Sequence, residues 1–159
     1  MNITITRQEL LELWHGLPAL SDLKGFKLGY AVARTKAKLK VEIGALEEAL
    51  KPDKVFQEYE EKRLALCQKH VQKDGQGNPL TQGGQFVFGE NREVFDATMA
   101  PLQEEYAGAI EDRKQQVEGY LASMKEAIAV EIHHVSEDDL KDQEPTVAQM
   151  QVLYHLIKE

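Results

Sequence analysis

The chain has 159 residues, 42% of them hydrophobic and 29% charged, with a formal net charge of −8 at pH 7. This length fits one folded domain that buries about 70% of the surface of its unfolded chain, so folding requires no disulfide or metal. Cys67 is the single cysteine, which excludes an intramolecular disulfide and suits a reducing compartment. Because there is neither an apolar run of about 18 residues nor a signal-peptide pattern, we expect a cytoplasmic protein that does not span a membrane.

Acidic side chains are concentrated in one part of the sequence. Residues 1–89 carry 13 basic and 11 acidic side chains, whereas residues 90–144 carry 5 basic and 15 acidic ones. We call residues 90–144 the acidic segment. Such a segment forms either a solvated surface or a region that steers the protein towards a basic partner.

The N-terminal pattern predicts a short strand followed by a helix. Ile3 and Ile5 alternate with polar residues, as in a strand. Thr6 lies three residues before Glu9, which is the spacing of a capping box and predicts a helix over about 7–15. Gly16 and the proline that follows end this helix.

Two long helices are predicted next, with Ser21 or Asp22 as the cap of the first. Apolar residues then recur at helical spacing up to Leu50, and Pro52 ends the helix. A second apolar row on this helix, which we call the α2 row, predicts that it packs on two sides; the row comprises Phe26, Tyr30, Ala33 and Ala37. A third helix is predicted over about 54–73, as the second arm of an antiparallel hairpin.

Shorter elements are predicted in the remainder of the chain. Residues 74–84 are rich in glycine and polar residues and predict a loop, in which Leu80-Thr81 pairs with the strand at 85–88. Helices follow to about 128, kinked or split at Pro101, and then a strand at 129–135 and a capped turn at 136–140. Thr146 and Gln149 form a second capping-box spacing. They open a final helix that carries Val147, Met150, Leu153, Tyr154 and Ile157.

Together these elements predict an α+β fold that is predominantly helical. We expect a single domain over 1–159, in which a long antiparallel helical hairpin packs with further helices beside a small sheet. The hairpin covers about 22–73, the loop and short strand 74–89, the further helices about 91–128, and the strand and C-terminal helix 129–159. The N-terminal, 85–88 and 129–135 segments are expected to form the sheet.

Metal-ligating and catalytic patterns are weak throughout the sequence. Cys67 and His70 share a helical face but supply two ligands, whereas a structural zinc site needs four. His133 and His134 point to opposite faces if they lie on a strand. The loop from Asp74 lacks the glycine and the final glutamate of a calcium-binding loop. We therefore predict no catalytic residue, no cofactor-binding residue, no metal ligand and no cofactor.

Basic residues cluster in the stretch 24–40, which contains no acid. The six cations are Lys24, Lys27, Arg34, Lys36, Lys38 and Lys40. They spread around the predicted helix, no interleaved aromatic residues favour base stacking, and the chain as a whole is acidic. Direct nucleic-acid binding is therefore not expected.

The order of the elements is similar to that of a family of small bacteriophage and prophage proteins of unknown function. The similar features are the initial strand with Leu10-Leu11 and Leu13-Trp14, the basic helix at 24–40 and the turn at 74–79. The segments Phe86-Val87-Phe88, Val130-Glu131-Ile132 and 136–140, and the closing helix, also resemble that family. The resemblance implies a phage origin and an α+β fold, and it implies no catalytic residues.

Three functions are compatible with these features. The first is a non-enzymatic phage protein that acts through protein–protein interaction, in virion assembly. The second is an inhibitor or regulator of a host enzyme, whose acidic segment presents phosphate-like carboxylates to a basic groove. The third is an enzyme with an unrecognised site. We expect an unidentified protein partner, and the two apolar rows of the second helix also suggest a homo-oligomer.

Overall fold

A computed structural model describes residues 2–157 of the chain, and helices dominate it. The prediction of a predominantly helical α+β fold with a small sheet is confirmed. In chain order the elements are β1 (Asn2–Thr6), α1 (Arg7–Gly16), α2 (Phe26–Leu50), α3 (Lys54–His70), β2 (Thr81–Gln82), β3 (Gln85–Phe86), α4 (Arg92–Glu105), α5 (Ala107–Ser123), β4 (Ala127–Glu131) and α6 (Val147–Leu156).

The chain divides into two compact units. The first consists of Met1–Leu50 and Glu118–Glu159, and the second of Lys51–Val117. Helix α5 contributes residues to both units. This division reflects the density of contacts and does not test how many parts fold cooperatively, so the single domain over 1–159 stays a prediction.

The sheet of the first unit pairs one strand from each of the two segments that form this unit. Strand β1 runs antiparallel to β4, with Ile3 opposite Val130 and Ile5 opposite Ile128. The predicted strand at 129–135 therefore begins and ends earlier, at Ala127–Glu131. The buried side chains around this sheet are almost all aliphatic; they include Ile5, Leu10, Leu13, Leu17, Leu20, Leu28, Leu39, Ile43, Val130, Ile132, Leu153 and Leu156.

The predicted start of helix α1 is confirmed, whereas helix α2 begins later in the sequence than predicted. Thr6 and Glu9 form both bonds of a capping box at α1. Ser21 and Asp22, predicted to cap α2, lie instead in a 3-10 helix (Leu17–Asp22). Its two buried leucines continue the core, so regular α-helix resumes only at Phe26.

Helix α6 belongs to the first unit and contacts other elements of that unit closely. Thr146 and Gln149 form the predicted capping box, and the Gln149 side chain also donates a hydrogen bond to the Ala19 carbonyl at 2.8 Å. At α1, a Cβ atom on Gly16 would lie 2.5 Å from a Val152 methyl carbon, so the two helices approach closely because Gly16 has no side chain.

Helix α3 packs against α4 in the second unit, whereas α2 and α3 belong to different units, so their predicted hairpin stays a prediction. The side chains that α3 buries meet aromatic and sulfur-containing side chains of α4 and its flanks. The buried members of this core are Tyr59, Cys67, Val71, Phe88, Phe95, Met99, Leu102 and Tyr106.

The segment at 85–88 forms a separate hairpin and does not join the main sheet. Thr81 pairs with Phe86 and Gln82 with Gln85. The two turn residues, Gly83 and Gly84, have φ angles of 58° and 78°, which is the left-handed conformation that a two-residue hairpin turn requires. Strand β3 therefore pairs with β2, the strand that precedes it in the sequence.

Pro101 does not split the helix that contains it. Helix α4 continues past Pro101 to Glu105, and the break before α5 falls at Tyr106, whose φ and ψ are −105° and 16°. Later predictions hold: Glu137–Leu140 is a single 3-10 turn capped by Ser136 and Asp139. No helix within residues 2–157 is long and apolar enough to span a bilayer.

Candidate protein-binding groove in the first unit

Helix α6 is apolar on two sides, and only one of them is buried. Val152, Leu153 and Leu156 lie in the core. Val147, Met150 and Tyr154 are 79%, 45% and 75% exposed, and their i, i+3, i+7 spacing places them on one face. We call these three residues the α6 stripe. A helix with apolar residues on both sides normally has neighbours on both sides.

A groove of about 580 Å³ adjoins the α6 stripe. One of its walls comes from α6 and the residue after it, the other from β1. Its lining residues are Ile3, Thr4, Ile5, Glu9, His134, Glu137, Met150, Tyr154, His155 and Ile157. We call this feature the α6–β1 groove. Its size falls within the range of ligand-binding clefts.

The groove follows the edge of β1. Ile3, Thr4 and Ile5 all line it, although consecutive side chains of a strand point to opposite faces of the sheet. A groove that reaches all three residues therefore runs along the edge of the strand. The sheet contains β1 and β4 alone within residues 2–157, so the edge of β1 away from β4 is unpaired in this part of the chain.

The polar groups of the groove are two histidines and two glutamates. Both ring nitrogens of His134 are buried and have no hydrogen-bond partner among the described residues. Glu9 accepts hydrogen bonds from the backbone and side chain of Thr6, at 2.7 and 2.8 Å. These bonds lower the pKa of Glu9, which keeps a negative charge at this end of the groove near neutral pH.

The residues considered for metal binding are not assembled into a site. Cys67 is buried, with its sulfur 3.9 Å from an Arg63 nitrogen, and the His70 ring meets Phe95. His133 contacts Tyr30 edge-on, with ring centroids 5.2 Å apart, whereas His134 lines the groove. Within residues 2–157 no group of three or more metal-binding side chains comes together.

The carboxylate of Asp74 accepts hydrogen bonds from residues of its own loop. The Oδ1 atom of Asp74 accepts hydrogen bonds from the backbone of Gln76 and Asn78, at 2.8 and 2.9 Å. The side chain of Asn78 donates to the other oxygen. These bonds lower the pKa of Asp74, with that from Asn78 contributing most. They are the bonds of a tight polar turn.

The second unit contains one cluster of ionisable groups on its aromatic core. Lys62 donates a hydrogen bond to the Tyr106 hydroxyl at 2.6 Å, and that hydroxyl donates to Glu58 at 2.7 Å. The bond from Lys62 lowers the pKa of Tyr106, but the bond to Glu58 and burial outweigh it, so the net pKa is raised. The pKa of Lys62 is also raised, by its bonds to Tyr106 and Glu58. A tyrosine that holds its proton and a lysine that stays charged are suited to a structural role.

Ion pairs engage part of the acidic segment and part of the basic stretch. Lys27 pairs with Asp139 and Lys38 with Glu131, at 2.6 and 2.7 Å. Lys36 lies 5.5 Å above the ring of Trp14. Three of the six cations at 24–40 therefore already have partners in the first unit, and two acids of the acidic segment are neutralised by them.

The α2 row is exposed and does not pack on a second side. Phe26 is 85% exposed, and its ring stacks on Tyr30 at a centroid distance of 6.1 Å. Between this pair and the exposed Val41 the row contains only Ala33 and Ala37. The large apolar groups of the α2 row thus contact one another and His133.

The sequence of α6 has apolar residues on two sides of the helix, but its helical periodicity does not show which side is buried. The final helix was predicted to be amphipathic and to carry Val147, Met150, Leu153, Tyr154 and Ile157. Of these residues Leu153 is buried, whereas Val147, Met150 and Tyr154 are exposed, and the structure also buries Val152 and Leu156. A helix with apolar residues at nearly every second position is typical of an element with two neighbours. His134 was assigned to a strand, and nothing in its local sequence places it beside α6.

Comparison with known proteins gives no relative for this chain. No protein-family model matches it significantly. No curated protein and no solved structure matches it significantly either. The resemblance to small bacteriophage proteins therefore stays a prediction.

Proposed function

We propose that this chain is a non-enzymatic protein that acts by binding another protein through the α6 stripe and the α6–β1 groove. The observation that supports this most directly is the exposure of Val147, Met150 and Tyr154 beside a groove of about 580 Å³. Covering an exposed apolar side chain of this size contributes about 1.5–3 kcal/mol. Large exposed apolar patches on soluble proteins mark sites of interaction.

The biological setting of this proposal rests on the resemblance of the sequence to small phage proteins. We infer that the protein takes part in virion assembly in the cytoplasm of a host cell, bound to a virion protein. The short strands and capped turns on which the resemblance is based are present in the structure. They are packing and turn features, so they support the setting and carry no information on catalysis.

Inhibition of a host enzyme by the acidic segment has less support. Several of its carboxylates are already paired: Glu131 and Asp139 with lysines of α2, and Glu126 with Arg7 at 2.6 Å. The acidic segment also belongs partly to each unit. A phosphate-mimicking surface needs several unpaired carboxylates on one face, because paired ones project little field.

An enzyme with an unrecognised site is supported by one observation, the two histidines and two glutamates of the groove. Of these, Glu9 is held by Thr6 in a capping box, which leaves it poorly placed to act as a general base. A general base must reach the proton it abstracts. A binding function uses the same groove without that requirement.

Affinity capture from producing cells, read by mass spectrometry, tests the proposed function. We expect one dominant partner, a virion protein, that survives moderate salt because apolar contacts are not screened. The Met150→Ala/Tyr154→Ala variant should lose this partner by about tenfold or more, as truncation of buried aromatic anchors does. Phe26→Ala is the matched control, since Phe26 is also exposed, apolar and in the first unit.

Two results would contradict the proposal. If the Met150→Ala/Tyr154→Ala variant still captures the partner fully and Phe26→Ala loses it, the interface lies at the α2 row instead. Capture of one host enzyme of nucleic-acid metabolism, lost as salt rises, would support the inhibitor instead.

A further inference from the structure

We infer that the α6–β1 groove binds an extended segment of the partner, which adds to the sheet as a third strand along the free edge of β1. This inference rests on the proposed function and specifies the chemistry of its partner. In this segment every second side chain would be apolar, and at least one of the remaining side chains would be a lysine or an arginine. Strand addition of this kind combines main-chain hydrogen bonds with pockets for alternate side chains.

The direction of the backbone groups in β1 follows from its register. The Arg7 amide donates to the Glu126 carbonyl at 3.2 Å, and these residues continue the register in which Ile5 faces Ile128. Hydrogen-bonded pairs alternate with non-bonded pairs in an antiparallel ladder. The amides and carbonyls of Asn2 and Thr4 therefore point away from β4, towards the free edge.

The groove supplies apolar contacts beside this edge. Met150 and Tyr154 form part of the opposite wall and are exposed, and Ile157 extends that wall. A strand that bonds to Thr4 would direct every second side chain towards one face of the sheet. Such a strand satisfies the donors and acceptors of the edge and covers the apolar wall at the same time.

The negative charge of the groove indicates which charged side chains the partner segment carries. The two glutamates of the groove are Glu9 and Glu137, and neither lysine nor arginine is among its lining residues. The capping bonds hold Glu9 in its charged form. An extended segment with a lysine or arginine near these carboxylates complements the groove, whereas an acidic segment is repelled.

A peptide library tests this inference with the full-length protein. The probe is a bead-displayed library of random peptides about six residues long, the usual length of a strand. We expect enrichment of peptides with alternating apolar residues and at least one lysine or arginine. On binding of a selected peptide, the Thr4 amide should become protected from hydrogen exchange, because it gains a carbonyl partner.

Chemical variants of the selected peptide and of the protein separate strand addition from other modes of binding. N-methylation of the peptide at edge-facing amides, with the protein unchanged, should weaken binding by about tenfold. Thr4→Pro, which removes an outward donor at an edge strand, should do the same while Trp14 fluorescence reports a folded protein. Glu137→Lys should weaken binding of basic peptides, and Val41→Ala should leave it unchanged.

The outcomes distinguish failure of this inference from failure of the proposed function. If no peptide is enriched, if helical spacing is enriched, or if N-methylation has no effect, strand addition is wrong. The proposed function still stands in that case if the α6 variant loses its captured partner. If that variant retains its partner, the proposed function itself is wrong.

Discussion

The two units of this protein bury different kinds of side chain and are assembled differently along the chain. The first joins both ends of the sequence and has an aliphatic core rich in leucine. The second is one contiguous segment, Lys51–Val117, and half of its buried core residues are phenylalanine or tyrosine. A contiguous unit forms through local contacts, whereas the first unit closes a long loop before its sheet is formed.

This contrast explains where the candidate site lies. Sheet β1–β4 and helix α6 bring residues from both ends of the chain into one groove. The second unit keeps its polar chemistry within itself, in the cluster around Lys62 and in the Asp74 turn. The large apolar side chains with the greatest exposed fractions, Phe26, Val147 and Tyr154, belong to the first unit.

The largest effect is expected from loss of an aromatic side chain in the second unit. Phe95 stacks on Phe88 with ring centroids 4.0 Å apart and is nearly buried. Phe95→Ala should lower the free energy of unfolding by about 3–5 kcal/mol, measured by urea unfolding with circular dichroism. Val94→Ala is the matched control, because Val94 is its exposed neighbour. Equal effects of the two variants would show that the aromatic cluster is not a core.

A somewhat smaller effect is expected in the aliphatic core of the first unit. Leu153 is fully buried, whereas its neighbour Tyr154 is mostly exposed. Leu153→Ala should cost about 2–5 kcal/mol in free energy of unfolding. Tyr154→Ala should change it by about 0.5 kcal/mol or less. Trp14 fluorescence is the measurement, because the single tryptophan packs against this core.

Phe95→Ala also tests the predicted single domain. If 1–159 unfolds as one cooperative domain, Phe95→Ala shifts the transition of Trp14 together with that of the helical signal. If the units unfold separately, Phe95→Ala leaves the Trp14 transition where it is. The second outcome would contradict the predicted single domain.

Local chemistry in the sequence predicts local structure well in this protein. The capping boxes at Thr6 and Thr146 are present in the structure, because the bonds of a cap involve residues only three apart. The same reasoning locates the 3-10 turn after Ser136. At Pro101, where a kink or a split is predicted, helix α4 is not split and continues to Glu105, with the flanking Met99 and Leu102 buried in the core of the second unit.

Pairing between distant elements could not be predicted from the same patterns. Periodicity identifies which side of a helix is apolar and gives no information on what covers it. Within the second unit, for example, α3 packs against α4, a contact that the periodicity of neither helix indicates. For the groove, the sequence contains Ile3, His134 and Tyr154 at separate places, and they meet through contacts between distant segments, which include the β1–β4 pairing and the bridge between Val135 and Ile157.

The smallest expected effect concerns an ion pair that joins distant parts of the first unit. Asp139 accepts a hydrogen bond from Lys27 at 2.6 Å and two from Ser136, at 2.7 and 3.2 Å. These bonds, with that from Lys27 first, lower the pKa of Asp139 from 3.8 to about 2. The folded state thus holds the charged form more strongly than the unfolded state does. This stabilising contribution is complete above the unfolded pKa and is lost as the pH falls towards 2.

Asp139→Asn should therefore flatten the decline of stability between pH 3.8 and about 2, measured as the melting temperature by Trp14 fluorescence. The change should be small, because the pair lies near the solvent. Asp142→Asn is the control, since it removes a carboxylate of the same segment outside this network. Equal slopes for the two variants would mean that the contact between Lys27 and Asp139 does not stabilise the first unit. A flatter slope for Asp139→Asn alone would show that the bonds of Asp139 to Lys27 and Ser136 stabilise this unit, one of them between distant residues, whereas the Asp74 turn of the second unit is bonded only locally.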